Sequence, residues 1–229
     1  MEIPETPIIS SIPGNHCDEI PVFILERIMK KTANIAEKTI VGIDYGNKYA
    51  GTTVLCYNSG QKINFVQSSK NADADSFLLN ELAYLHPDLI MIDAPLSLPG
   101  VYWLGGKYKD HFFRSCDREL KAMSPMFLGG LTARAISLIK KMNGTEVIET
   151  YPRKLVDILL LPDAQYKHSK QNLGSFTEQL QAISGLKINE AQIISWHHVD
   201  AFLALLSGLR YLEKNDRKYG NPEEGIIIV

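Results

Sequence analysis

Four acidic residues stand out by position: Asp44, Asp93, Glu149 and Asp200. The first three each close a short apolar run, at Thr39 to Ile43, Leu89 to Ile92 and Val147-Ile148. Runs this short, rich in β-branched residues and bounded by turn signals, read as strands covered on both faces. An acid at the open end of such a strand is rigidly held. Neighbouring parallel strands lie about 4.8 Å apart, so acids at equivalent ends crowd one another. Crowded carboxylates repel, and a hard divalent cation, Mg²⁺ or Mn²⁺, is the natural counter-charge for oxygen ligands. The plainer reading of Asp44 is a cap on the Tyr45-Gly46-Asn47 turn that follows it.

Asp200 arrives by a different route. Ile193, Trp196, Asp200, Leu203 and Ser207 recur at helical spacing, which sets the acid in the middle of an apolar stripe. A buried, unpaired charge costs several kcal/mol, so Asp200 must meet a base, accept hydrogen bonds or bind metal. Arg114 or Arg134 is the partner in the alternative. Asp44, Asp93 and Asp200 form the candidate ligand set, and Glu149 joins them in the candidate catalytic set. The chemistry that needs such a group is phosphoryl transfer, in which ions about 4 Å apart clamp the attacking and leaving oxygens. No Ser, Cys or His nucleophile is then required. His197 and His198, beside Asp200, are each either packed or able to orient water or protonate a leaving group.

Positioning these acids requires a particular order of elements. Thr39 to Ile43, Tyr49 to Tyr57 and Lys62 to Ser68 read as an antiparallel meander, joined by tight turns at Gly46 and Asn58-Ser59-Gly60. A helix over Asp75 to His86 then leads into Leu89 to Ile92, a right-handed crossover to a parallel strand. Leu96 to Lys109 is a Pro/Gly/aromatic loop long enough to be a lid, and Tyr102, Trp103 and Tyr108 either stack on a base or close over their own cluster. Helices follow near Arg114 to Met123, Leu131 to Met142, Arg153 to Leu160, Asn172 to Ser184 and Ala191 to Glu213. Val147-Ile148 forms a strand among them, and Gly225 to Val229 a last one after a turn at Asn221-Pro222. The expected architecture is α/β: a mixed five-stranded sheet, three antiparallel then parallel strands, flanked by helices. Residues 39–229 read as one domain and residues 1–38 as an extension with one helix, whose stripe of Val22, Leu25, Ile28, Met29 and Ala36 packs on the flank or forms a homodimer contact.

Composition narrows the partners. The 229 residues are 45% hydrophobic and 22% charged, ordinary for a globular chain, and the net charge of −2 gives no global basic field for gripping nucleic acid. Cys17, Cys56 and Cys116 are widely spaced and odd in number, which fits neither a zinc pattern nor a disulfide framework and suits a reducing cytoplasm. The start lacks the basic and apolar segments of a signal peptide, and no apolar run approaches the ~20 residues needed to span a bilayer.

The order of strands and acids resembles the ribonuclease H-like fold, and GIDYGNKYAGTTVL is similar to the first hairpin of Holliday-junction resolvases of the RuvC and YqgF type. With IDAPLSLP, RSCDREL, ETYP and HVDAFLAL it resembles the family of domain of unknown function 429, described as predicted ribonuclease H-like nucleases. The resemblance covers Thr39 to Val229. It implies that Asp44, Asp93, Glu149 and Asp200 line a pocket with Arg114, Asp117 and Arg118 on its rim, acting with metal on a nucleic acid or nucleotide. Arg114, Arg118, Arg134 and Lys154 either contact phosphate oxygens or serve as surface charges and partners of the acids. Two other functions compete: ATP binding as in the sugar kinase, actin and chaperone ATPase group, which shares the Asp-x-Gly hairpin, and a non-catalytic binding module.

Overall fold

A five-residue run, Ile40-Val41-Gly42-Ile43-Asp44, forms the central strand β1 (Ile40–Asp44), buried along its whole length. In the computed structural model, which describes residues 38–142, 144–159, 161, 165–189 and 192–229, β1 is paired on both edges. On one side runs antiparallel β2 (Val54–Ser59), itself paired to antiparallel β3 (Lys62–Gln67). On the other runs parallel β4 (Leu89–Asp93), followed by parallel β5 (Glu146–Glu149). Strands covered on both faces read as continuous apolar runs rather than alternating ones, which is why these segments were so short and so hydrophobic.

The sheet order is β5-β4-β1-β2-β3-β6, six strands rather than the expected five. The sixth, β6 (Lys187–Ile188), is a two-residue edge parallel to β3, too short to leave a pattern. The chain ends in a separate hairpin of β7 (Lys218–Asn221) and β8 (Gly225–Ile228). The second strand begins at Val54, not Tyr49. The backbone before it bonds sideways instead, with the Asn71 and Ala74 amides donating to the Tyr49 and Lys48 carbonyls. The helix expected over residues 18–36 lies outside the described residues.

Alternation along the strands sorts side chains onto two helical layers. Val41, Ile43, Ile90 and Ile92 pack toward α1 (Ala74–Leu85) and, through Ala135 and Leu138, α4 (Gly130–Ile139). Between these helices in the chain lie the short α2 (Ser115–Leu120) and α3 (Pro125–Leu128). Ile40, Leu89, Met91 and Ile148 pack on the other face, in a core shared with α5 (Pro152–Ile158), α6 (Leu173–Ser184) and α7 (Trp196–Leu212). Among the described residues, helix α7 is the most buried helix, from His198 through Leu209. It lies directly on β1 because Gly42 has no side chain: a Cβ there would sit 2.2 Å from the Ala201 carbonyl oxygen and 2.3 Å from the Leu205 nitrogen. Among the described residues, no helix is long and apolar enough to cross a membrane.

Candidate metal centre

Register brings the first two acids together. Asp44 pairs with Asp93 as the last residues of β1 and β4. By the two-residue period, both share the face of Ile40, Gly42, Leu89 and Met91, toward α7. Asp200 sits one turn into α7, 1% exposed, where the close approach at Gly42 lowers it onto the strand ends. One carboxylate oxygen from each of Asp44, Asp93 and Asp200 lies within 4.8 Å of the others.

The three differ in how their oxygens are satisfied. Asp44 Oδ2 accepts from His197 Nδ1 at 2.7 Å. Asp200 is held at both oxygens: the Tyr166 hydroxyl donates to Oδ1 at 2.5 Å, and Lys167 Nζ lies 2.5 Å from Oδ2. The Tyr166 ring is fixed in turn between Phe176 and Trp196. The Asp93 carboxylate accepts no hydrogen bond and makes no ion pair among the described residues, although only partly exposed.

The electrostatics follow. Burial, then the charges of Asp44 and Asp200, push Asp93 well above the usual carboxylate range. Burial raises Asp200 to about 6, with Lys167 opposing the rise. The hydrogen bond to Asp44 raises His197 above the ordinary imidazole value. Burial alone would lower the Lys167 ammonium, but Asp200, Asp93 and Asp44 together raise it. Such a pit is costly without a cation. Hard oxygen donors, one carboxylate of them without a partner among the described residues, fit a hard divalent cation rather than a soft metal.

Glu149 does not join the other acids, and the reason is register. It pairs with Ile92, not Asp93, and a one-residue offset turns a side chain to the opposite face of a sheet. There both its oxygens are taken by Arg114, at 2.6 and 2.7 Å, and Oε2 also accepts from the Leu96 amide at 2.8 Å. Arg114 and Asp117, expected on a solvent-facing rim, are each 1% exposed. The guanidinium binds Asp117 and the Ser97 hydroxyl as well as Glu149. Nearby, buried Glu224 accepts from the Gly100 and Ser115 amides. This network ties α2, the 96–100 loop, the end of β5 and the terminal hairpin into one unit.

The remaining cations are each paired. Arg118 binds Asp110 at 2.7 Å and lies 3.8 Å over the Phe113 ring. Arg134 grips Asp75 with two nitrogens and donates a third bond to the Gly46 carbonyl. With Lys48 and Asn47 it lines a cleft of about 350 Å³ beside the loop after β1. Lys154 lies 3.5 Å from Asp157. His198 Nδ1 meets the Ser195 hydroxyl at 2.9 Å, turned to the helix start rather than to the acids. In the aromatic loop, the Trp103 indole donates to the Leu98 carbonyl and the Tyr102 hydroxyl to that of His111. Nothing in the sequence marks Tyr166 and Lys167, which stand in a polar stretch without periodicity, and only closeness to Asp200 marks His197.

The strand order, with acids at the ends of β1 and β4 and in the first turns of α7, defines the architecture: a three-stranded meander continued by two parallel strands, with an edge strand added. This is the strand order that the resemblance to the ribonuclease H-like fold implied. Comparison with solved structures finds RuvC of Thermus thermophilus in complex with a Holliday junction substrate, 16% identical, with a TM-score of 0.38 over 80% of this chain and 98% of that one. A second Thermus thermophilus RuvC structure is 14% identical, with a TM-score of 0.39 over 76% of this chain and 94% of that one. No family model and no curated protein matches the chain.

Proposed function

We propose that this chain is a divalent-metal-dependent hydrolase of phosphodiester bonds, a nuclease or nucleotide phosphohydrolase. The carrying observation is the convergence of Asp44, Asp93 and Asp200 within 4.8 Å, with the Asp93 oxygens open. Asp44 and Asp93 are the principal ligands of Mg²⁺ or Mn²⁺, and Asp200 completes the acidic wall. When bound, the ion supplies Lewis-acid stabilisation of the phosphoryl oxygens and a water acidified toward hydroxide. His197 holds Asp44 in one orientation and, partly exposed, offers an imidazole able to pass a proton at the leaving group. Glu149 acts at one remove, pinning Leu96 and Arg114 behind the strand ends.

The substrate is a nucleic acid or nucleotide. A net charge of −2 disfavours a long, sequence-independent grip on duplex DNA, so compact or branched substrates suit it better. Lys48 and Arg134, which line the cleft beside the β1 loop, are proposed phosphate contacts; Arg118 and Lys154 are more peripheral ones. Free buried thiols at Cys56 and Cys116 fit a reducing, cytoplasmic setting. The domain of unknown function 429 and a catalytic domain spanning residues 39–229 are the corresponding family and boundary proposals.

The test is a calorimetric titration of Mn²⁺ and Mg²⁺ into the full chain and its Asp44→Asn variant, followed by assays on labelled RNA, DNA and branched DNA. Metal-dependent cleavage lost in the variant supports the proposal. Absence of both metal binding and turnover overturns it.

A further inference from the structure

Lys167 is the residue that the acidic site as described leaves unexplained. Its ammonium lies 2.5 Å from Asp200 Oδ2, although the side chain as a whole is 49% exposed and free to lie in water. Its backbone is left-handed, with φ 58. His86, Lys121 and Lys214, which share that conformation, follow the ends of helices, where a left-handed residue closes the last turn. Among the described residues Lys167 follows no helix, and of the left-handed non-glycine residues only Asn71 shares that placement. An unfavourable backbone conformation held away from any cap invites a functional reading. Tyr166 beside it takes the other oxygen of the same carboxylate, so the pair Tyr166-Lys167 closes Asp200 from both sides.

We propose that the Lys167 ammonium is a built-in cation of the acidic site, so that the site takes one divalent ion, held chiefly by Asp44 and Asp93, rather than two. The inference rests on the reading of the acids as a metal centre. Charge carries it: with the His197 imidazole neutral, three carboxylates hold three negative charges, which one ammonium and one divalent ion cancel. A second divalent ion would leave two positive charges uncompensated in a site with little water to screen them. Geometry agrees. The open oxygens belong to Asp93 and to Asp44 Oδ1, whereas both Asp200 oxygens are occupied. His197 adds a donor to Asp44, not a further acceptor. An ion bound through Asp200 Oδ2 would compete with the ammonium for that oxygen.

Equilibrium dialysis of Mn²⁺ against the full chain, alongside Lys167→Asn, Lys167→Arg and Asp44→Asn, tests this without recourse to activity. Asparagine suits the left-handed backbone, so Lys167→Asn removes the charge with little strain, and circular dichroism verifies its fold. The expected stoichiometry is about one ion per chain for the wild type and Lys167→Arg, rising to about two for Lys167→Asn. Two ions in the wild type, with Lys167→Asn unchanged, would overturn the proposal and leave the metal centre intact. One ion in both would equally remove Lys167 from the role. No binding in the wild type would instead sink the metal reading on which the proposal stands.

Discussion

Asp44 and Asp93 end adjacent parallel strands in direct register and face the same helix, yet among the described residues only Asp44 has a hydrogen-bond partner. Asp93 is therefore the carboxylate that the fold tolerates least and that a cation needs most. Replacing it by asparagine removes the repulsion from Asp44 and Asp200. Asp93→Asn is expected to stabilise the metal-free protein by about 1–2 kcal/mol while abolishing Mn²⁺ binding. Thermal unfolding in chelator, with and without added Mn²⁺, reads both effects.

The pH dependence of the metal-free protein has a defined sign. Asp93 and Asp200 hold protons in the folded state at pH values where the unfolded chain has released them. Stability from these groups is complete below the ordinary carboxylate pKa and is lost as pH rises through the folded value, about 6 for Asp200. His197, raised above the ordinary imidazole value by its bond to Asp44, continues the same trend upward from that value, while His198, lowered by burial, opposes it below that value. In chelator, the protein is expected to melt about 5 °C higher at pH 5.5 than at pH 8. Saturating Mn²⁺ should flatten or reverse that slope.

Gly42 sets the height of α7 above the sheet. A methyl group there would press on the helix backbone at Ala201 and Leu205, which has no side-chain freedom to yield. Gly42→Ala is expected to destabilise the fold by about 3 kcal/mol or more. Any folded fraction should bind Mn²⁺ more weakly, because Asp200 moves with the helix. Urea unfolding and calorimetry check the two parts separately.

Arg114 and Glu149 test a division of labour. Removing Arg114 strands two buried carboxylates, so Arg114→Met is expected to cost about 3–5 kcal/mol. Glu149→Gln leaves Arg114 paired to Asp117 and is expected to cost only about 1–3 kcal/mol. Glu149→Gln should leave Mn²⁺ affinity within about twofold, since the carboxylate faces away from the other acids.

Much of this site was legible because it obeys two periods. Apolar runs ending on Asp44 and Asp93 and a helical stripe containing Asp200 are local patterns, and the structure brings those three together. What the sequence hid was register and long-range pairing. Glu149 ends its strand just as Asp93 does, and nothing local distinguishes the one-residue offset that turns it away. Arg114 reads as a phosphate contact, a surface charge or a partner of the acids, and nothing local chooses among them, because its pairing with Glu149 spans 35 residues. Tyr166 reaches Asp200 across 34 residues from a stretch with no periodicity, and β6 is too short to carry any. The expected meander and crossover followed from turn chemistry and connection rules, which operate over a few residues.

The most direct test of the central claim is anomalous diffraction from a crystal of the full chain soaked in Mn²⁺. The expected result is a manganese peak in contact with the carboxylates of Asp44 and Asp93. A fully soaked crystal with no peak there, or with manganese bound only at other carboxylates, would contradict it.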